Sequence, residues 1–472
     1  MAEVSIVKKS ELEGALRIDA EYYRPRYLEI NKILKYSPLL SSISSKITDF
    51  GAYSQTNFIE YQDDGIRFLR NQDISEVFIA NTESIYITEN TYKKLSLKLE
   101  EGDIVIPRVG TLGKASVITE KYLPCSANQN LAQVKVQKGI SPYYVSVFLS
   151  CRYGLSQIFR CATGNVQPWL NLQQISNLKI YLPDVKKQLE VEKIAIEAIS
   201  KKEYSENLYS QAEQMLLEEL GIEDLDLSHQ LFYTTNLNDT KQAHRIDAEY
   251  YQPKYERVIE KVKKKVATKS LGELVEIRKG VEPGSEVYQN SGIPFVRVSN
   301  LTKYEINDNN QQYLSEELYN RFSLLYQPKV GEVLLSKDAT PGIALVVRED
   351  WQMIISGGIL RLSVNDEVNN EYLALILNSP VVQYQIQRDA GGSIINHWRP
   401  DQIKNTVIPT LSKPKQQKLA DFVLQSHQAR KEAKELLEEA KEKVEKMILE
   451  KNSEKATECK LFIAKGGQKD EI

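Results

Sequence analysis

The sequence predicts a mixed α/β protein. Two tandem-repeat globular domains are joined by two long helices forming an antiparallel coiled coil, with the halves related by a pseudo-two-fold. Three observations predict this. RIDAEYYRPRY (Arg17–Tyr27) returns as RIDAEYYQPKY (Arg245–Tyr255), nine of eleven letters unchanged at an offset of 228. Blocks further along keep that offset within about a residue: GIRFLRNQDI with GIPFVRVSNL, LEEGDIVIPRVGTLGKASVI with PKVGEVLLSKDATPGIALVV, and ATGNVQPWLNLQQISNLKIYLP with AGGSIINHWRPDQIKNTVIPTL. Each half then ends in a stretch without Gly or Pro, where small and apolar residues step by three and four.

Each half opens with a short helix. Pro25 and Pro253 suit its first turn, where a backbone N–H has no intrahelical partner. Tyr27, Ile30 and Leu34, and then Tyr255, Val258, Ile259 and Val262, give it an apolar face. Short β-rich runs broken by Gly, Asn and Asp come next: IRFLR, GDIVIPR, KASVI and LAQVKV, answered by IPFVRV, GEVLLS, IALVV and GILRLSV. One helix follows in each half (SPYYVSVFLSCRYGLSQIF; NNEYLALILNSPVVQYQIQ). A Gly-containing loop then leads to a final strand, LKIYLP or TVIP. The seam expected on the distal long helix is Leu419, Phe422, Ser426, Ala429, Ala433, Leu436, Ala440, Lys443 and Met447. On the central one it is Val191, Ile194, Ala198, Lys201, Ser205, Leu208, Ala212 and Met215. The expected division is domain 1 over 1–185, central helix 186–222, domain 2 over 223–412, distal helix 413–452 and a flexible tail 453–472.

Bulk properties restrict the function. The 472 residues are 42% hydrophobic and 26% charged, with net charge −3, so a generally sticky polycation is excluded while local basic clusters are not. Cys125, Cys151, Cys161 and Cys459 show no CxxC spacing, which fits a reducing compartment. His229, His244, His397 and His427 are scattered, so a histidine metal site is not expected. No apolar run reaches the ~20 residues that span a bilayer, and MAEVSIVKKSELEG has no signal-peptide core. The expectation is a soluble, cytoplasmic protein.

This layout resembles the specificity (S) subunit of Type I restriction–modification systems. The resemblance covers nearly everything from Arg17 to Glu450. Its most diagnostic parts are GNVQPWLNLQQISNLKIYLPDVKKQLEVEKI (Gly164–Ile194) and GGSIINHWRPDQIKNTVIPTLSKPKQQKLADFV (Gly391–Val423). They resemble the family's Gly loop, strand ending in Pro, and Gln opening the helix, although LPDVKKQ and IPTLSKPKQQ depart mildly from its usual two prolines and acid. The resemblance implies two target-recognition domains that read double-stranded DNA, spaced by the coiled coil. About 33 residues give roughly 50 Å of rod, or about 15 base pairs. It also implies methyltransferase (M) and restriction/translocase (R) subunits as partners. S-adenosylmethionine, ATP and magnesium are expected on those partners only, and no cofactor on this chain.

Base reading needs Arg, Lys, Asn or Gln at groove edges. Candidates lie where the repeat keeps its frame but changes its polar letters. In the first half they are Arg70, Asn71, Gln72 and Asp73; Arg108, Thr111 and Lys114; Asn128, Gln129 and Asn130; and Thr163, Asn165, Gln167 and Trp169. In the second they are Arg297, Ser299 and Asn300; Lys337, Asp338 and Thr340; and Ser393, Asn396, His397, Trp398 and Arg399. Unlike readers on like scaffolds predict an asymmetric, bipartite target, because identical half-readers would read a palindrome.

Enzymatic signatures are missing. There is no Asn-Pro-Pro-aromatic tetrad for a flipped adenine and no GxGxxG for a methyl donor. VGTLGKAS (Val109–Ser116) has too few residues between its glycines for a phosphate loop, and Ala115 stands where a magnesium-binding hydroxyl is needed. Asp401 with Glu432 and Lys434 is a chance nuclease-like set on a charged helix. A non-catalytic specificity subunit of a phage-defence system is therefore expected; the alternative is a tandem coiled-coil scaffold for other proteins. The RIDAEYY motif recurs where the readers diverge, so it is read as framework.

Overall fold

The computed structural model describes residues 4–12, 17–51, 58–80, 84–164, 167–308, 310–390 and 396–466, without the side chains of 11, 396 and 453–466. The chain divides into two compact units. Unit 1 combines Met1–Glu203 with Arg430–Ile472, and unit 2 is Tyr204–Ala429.

In unit 1 the entrance helix Pro25–Ile33 starts with its proline in the first turn and buries Tyr27. A five-stranded sheet follows the order Ser44–Asp49, Leu131–Val136, Ile104–Pro107, Ala115–Val117 and Glu76–Val77, antiparallel until the last pair. A four-stranded sheet orders Tyr61–Gln62, Tyr86–Ile87, Ile66–Leu69 and Cys125–Ala127. In unit 2 the same topology returns. Val275–Lys279, Ile359–Val364, Val333–Ser336 and Ala344–Val346 form the antiparallel sheet, and Gln312–Leu314, Ile293–Val296 and Ile354–Ile355 the companion. The fold is mixed α/β, as the sequence predicts.

Three local expectations change. The single helix of each half is two: Pro142–Ser150 and Arg152–Cys161, then Asn370–Asn378 and Pro380–Asp389, with Cys151 and Ser379 extended between them. Ser379 precedes a proline, which pushes it out of the helical region. In unit 1 the break lets Gly154 press against the Phe148 carbonyl, where a Cβ would lie only 2.3 Å away. The final strand forms only in unit 2, as Val407–Pro409 paired with Thr268–Ser270; LKIYLP makes a single bridge, Leu39 to Lys179. The distal helix runs Lys413–Gly466, past the expected end at 452. Nothing between Asn452 and Gly466 in the sequence is a helix breaker.

The long helix Val185–Leu220 and the distal helix pack antiparallel within each unit. Unit 1 pairs Lys443 with Glu190 (3.0 Å) and Lys201 with Glu432 (2.5 Å). Unit 2 pairs Lys415 with Glu219 and buries Ser205 against Ser426, hydroxyls 3.1 Å apart. The buried seam is Val191, Ala195, Ala198, Ser205, Leu208, Tyr209, Ala212, Leu216 and Leu220 against Leu419, Ala420, Val423, Ser426, Ala429, Ala433, Leu437, Ala440, Val444 and Met447. The expected seam is thus one residue off at several steps. Phe422, Leu436 and Lys443 are half-buried beside Val423, Leu437 and Val444, and Ile194, Lys201 and Met215 are half-buried likewise. The expected rows chose three-residue steps where the helix takes four.

Matched hydrogen bonds fix each domain to its helix. Gln188 accepts from the Ser141 N–H (3.2 Å) and donates to the Pro183 carbonyl (2.9 Å). Gln416 accepts from the Asn369 N–H (2.8 Å) and donates to the Leu411 carbonyl (2.8 Å). Buried Tyr144 and Tyr372 donate to the carbonyls of Tyr181 and Pro409. A second clasp has its charges exchanged. Glu76 of unit 1 meets Lys441 at 2.9 Å, and Lys303 of unit 2 meets Glu213 at 2.7 Å.

The RIDAEYY motifs are built alike. Arg17 pairs with Asp19 and lies 4.3 Å over the Tyr22 ring; Arg245 pairs with Asp247 (2.6 Å) and lies 4.5 Å over Tyr250. Arg160 stacks on Tyr22 at 4.0 Å and donates to its carbonyl. The repeat-equivalent Arg388 faces Tyr250 at 5.7 Å. Cation–π stacks of this kind fix ring and backbone together.

Candidate functional site

The sequence-selected loops of each unit converge. In unit 1 Ile66–Leu69 runs into a turn, Asn71–Asp73. Asn71 donates to the Val109 carbonyl (2.5 Å), and Thr111 to the Asn71 carbonyl (3.3 Å). The Arg108 N–H donates to the Asn130 carbonyl, and the Leu170 N–H to the Arg108 carbonyl. Trp169 bridges both Val109 and Thr163. Four sequence-distant segments thereby share one face. In unit 2 Asp338–Ala339 pairs with Asn396–His397, the Trp398 N–H donates to the Lys337 carbonyl, and Lys337 donates to the Gly358 carbonyl. A Cβ on Gly358 would approach Val298 at 2.8 Å, so the 298–300 turn lies against the same loops.

Several candidates serve the framework instead. Asp73 is buried and accepts from the Arg70 backbone (2.7 Å) and its guanidinium (3.3 Å). Asn300, also buried, accepts from the Arg297 N–H (3.1 Å) and donates to the Asn307 carbonyl. These two close the same turn in the two units, because a short polar side chain three residues on caps a free N–H. Arg297 also donates to the Asn310 carbonyl (2.6 Å). Arg108 is ion-paired with Asp49 and donates to the Leu170 carbonyl. Lys337 is ion-paired with Asp338. Trp398 is 1% exposed and belongs to the core of unit 2.

The side chains that face solvent are Gln72, Thr111, Gln167 and Trp169 in unit 1, and Ser299, Thr340, His397 and Arg399 in unit 2. Lys114, Asn128, Gln129, Asn130 and Thr163 are half-buried at the edge. Asn165 and Ser393 lie outside the described residues; Asn396 is placed by its backbone pairing alone.

One repeat position separates the two sites most clearly. Trp169 (42% exposed) and His397 (side chain 61%) occupy equivalent positions, and their neighbours Leu170 and Trp398 are buried. Strand alternation sends one residue out and the next in. His397 Nδ1 lies 2.8 Å from Asp338 Oδ1. Burial opposes charge on Asp338, but hydrogen bonds from Lys337 and His397 outweigh it and hold the carboxyl below its ordinary value. Unit 1 thus offers an indole and unit 2 an imidazole held by a carboxylate. The partners Asp49 and Asp338 set Arg108 and His397; Asp49 carried no sequence signal, since it lies 59 residues from Arg108.

Val109–Ser116 runs into the strand Ala115–Val117 rather than a helix, so it lacks the helix N-terminus that a phosphate loop uses. Glu432 is engaged by Lys201. Among the described residues no cluster of three or more His, Cys, Asp or Glu is arranged to hold a metal ion, and no helix is long and apolar enough to cross a membrane.

Residues 263–445 match the family described as Type I restriction modification DNA specificity domain. Among solved structures, the chain is similar to the S subunit of a Type I restriction-modification system from M. genitalium, at 10% identity and TM-score 0.39, covering 87% of this chain and 94% of that one. It is also similar to the HsdS subunit from Thermoanaerobacter tengcongensis, at 14% identity and TM-score 0.28, covering 88% and 95%. No curated protein matches it in sequence.

Proposed function

We propose that the chain is a specificity subunit of the Type I restriction–modification kind, on the DNA specificity domain matched at residues 263–445, and that it reads an asymmetric, bipartite DNA target. Each unit contacts one half-site with its convergent loops. The chain itself performs no chemistry. It brings adenine methyltransferase subunits, and through them restriction subunits, to the site in the cytoplasm. S-adenosylmethionine, ATP and magnesium act on those partners.

The observation that carries this reading is a repeated frame with exchanged outward residues. Gln188 and Gln416, Tyr144 and Tyr372, and Asp73 and Asn300 do the same structural work in both units. Trp169 and His397 present different chemistry from the same position. An indole offers an apolar face for a thymine methyl, whereas an imidazole offers hydrogen bonds to base edges. Joining two such readers makes the second contact intramolecular, so modest half-sites suffice.

Methylation-sensitive sequencing of a host expressing this chain with its methyltransferase partner tests the proposal. A gapped motif with two unlike halves is expected. Exchanging Gly65–Leu182 for the corresponding segment of a relative should change one half only. An unchanged methylome on deletion of the chain, or both halves changing on the exchange, overturns the reading.

A further inference from the structure

Unit 1 contains a cavity of about 470 Å³ beside the entrance helix, lined among others by Tyr27, Ile30, Asn31, Ser156, Leu178 and Lys179. That volume lies within the roughly 300–1,000 Å³ usual for ligand sites. The chain's own repeat indicates what belongs there. At the offset of 228, Tyr27 corresponds to Tyr255 and Ser156 to Tyr384. In unit 2 the Tyr384 ring packs against Tyr255, centroids 6.1 Å apart at 55°. Unit 1 keeps the receiving tyrosine but replaces the incoming ring with a serine. Truncating a large side chain leaves space that neighbours refill only in part.

The walls are already fixed. Gln157 accepts from the Lys179 N–H (2.8 Å) and donates to the Lys179 and Tyr153 carbonyls. Gln174 donates to the Cys161 carbonyl (2.6 Å). The cavity also has a polar corner without counterpart in unit 2. Lys179 donates to Asn31 Oδ1 at 2.6 Å, whereas the repeat partners of this pair are Val407 and Ile259. The lining is mixed: Tyr27, Ile30, Leu39 and Leu178 give apolar surface, and Arg17, Arg160, Asn31 and Lys179 polar surface, a combination that suits a ring carrying a hydroxyl.

We propose that this cavity is a receptor for a phenolic ring, supplied by a tyrosine of a partner protein or by a free small aromatic molecule. It is independent of DNA reading. The probe is p-cresol, titrated onto the full chain and followed by calorimetry and ligand-observed NMR. One saturable site is expected. Ser156→Tyr, which installs the ring found in unit 2, should weaken binding at least tenfold. Tyr384→Ser, which removes a side chain rather than adding one, should open a second, weaker site in unit 2, which lacks the Lys179–Asn31 corner. Displacement of p-cresol on assembly with the methyltransferase partner assigns the ring to a protein side chain; retention assigns it to a free molecule. No saturable binding by the natural chain, undiminished binding by a folded Ser156→Tyr variant, or a folded Tyr384→Ser variant that keeps one site overturns the proposal.

Discussion

Replacing Gln188 with Met isolates the hydrogen bonds that fasten unit 1 to its helix. Methionine nearly matches glutamine in length, so packing changes little. Two bonds disappear: the one accepted from the Ser141 N–H (3.2 Å) and the one donated to the Pro183 carbonyl (2.9 Å). Gln188 is 3% exposed, so water cannot readily replace its amide. The Ser141 N–H, left without its acceptor in a buried setting, costs roughly 1–3 kcal/mol, and the second bond contributes about 1 kcal/mol net. The expected loss is about 2–4 kcal/mol, or roughly 4–16 °C in melting temperature for a unit of this size. Thermal unfolding followed by circular dichroism measures it, and sequencing of the methylated motif gives the functional counterpart. The motif should be unchanged. A variant within about 0.5 kcal/mol of the parent, or one with a new motif, refutes the assignment of Gln188 as a pure fastening.

Trp169→Ala and His397→Ala should each degrade a different half of the methylated motif, with binding weaker by on the order of 10–100-fold if each reads a base; loss of the same half by both refutes the division of labour. Arg361→Met should lower stability by about 3–5 kcal/mol, because it leaves the buried Glu332 carboxylate without its guanidinium partner (2.7 Å), and Glu332→Leu in the same chain should recover much of the loss. Asp247, held down first by its hydrogen bond from Arg245, and Asp338, held down by Lys337 and His397 against burial, both sit below the ordinary carboxyl value of 3.8. Their contribution is therefore complete above that value and is lost as pH falls through their lower folded values. An acid titration of Asp338→Asn should show a shallower loss of stability than the parent, and an identical curve refutes the coupling.

The duplication, the entrance helices and the long helices were legible because each rests on periodicity or repetition that a linear sequence displays. The coiled-coil seam was legible to within one residue. The spacing places Ser205, Ala212, Ser426, Ala433 and Ala440 in the seam, where they are buried, but it points to Leu436 and Lys443 where Leu437 and Val444 are the buried residues. Spacing alone does not say which of two adjacent residues faces a partner. The convergence of the candidate loops was legible because their polar letters vary against a repeated frame. Which of their residues turn inward was not, because a residue's polarity does not reveal its direction. Asp73 and Asn300 look like readers and are turn caps. Trp398 looks like the counterpart of Trp169, yet one step of strand alternation buries it and exposes His397. The pairing of Asp49 with Arg108 depends on two strands of one sheet and leaves no local trace.

The exchanged charges of the second clasp carry a consequence for which halves can associate. Lys441 is the repeat equivalent of Glu213, and Lys303 lies within about a residue of the equivalent of Glu76. Were the first half to associate with a copy of itself through the same geometry, Glu76 would meet Glu213 of that copy. The second half would likewise set Lys303 against Lys441. Each self-association confronts like charges, and only the mixed association satisfies both contacts. Such repulsion discriminates against wrong partners as effectively as attraction selects right ones. A duplicated ancestor whose halves were interchangeable would lack this discrimination. The present chain carries it, and the two contacts together favour the unequal pair over either symmetric one.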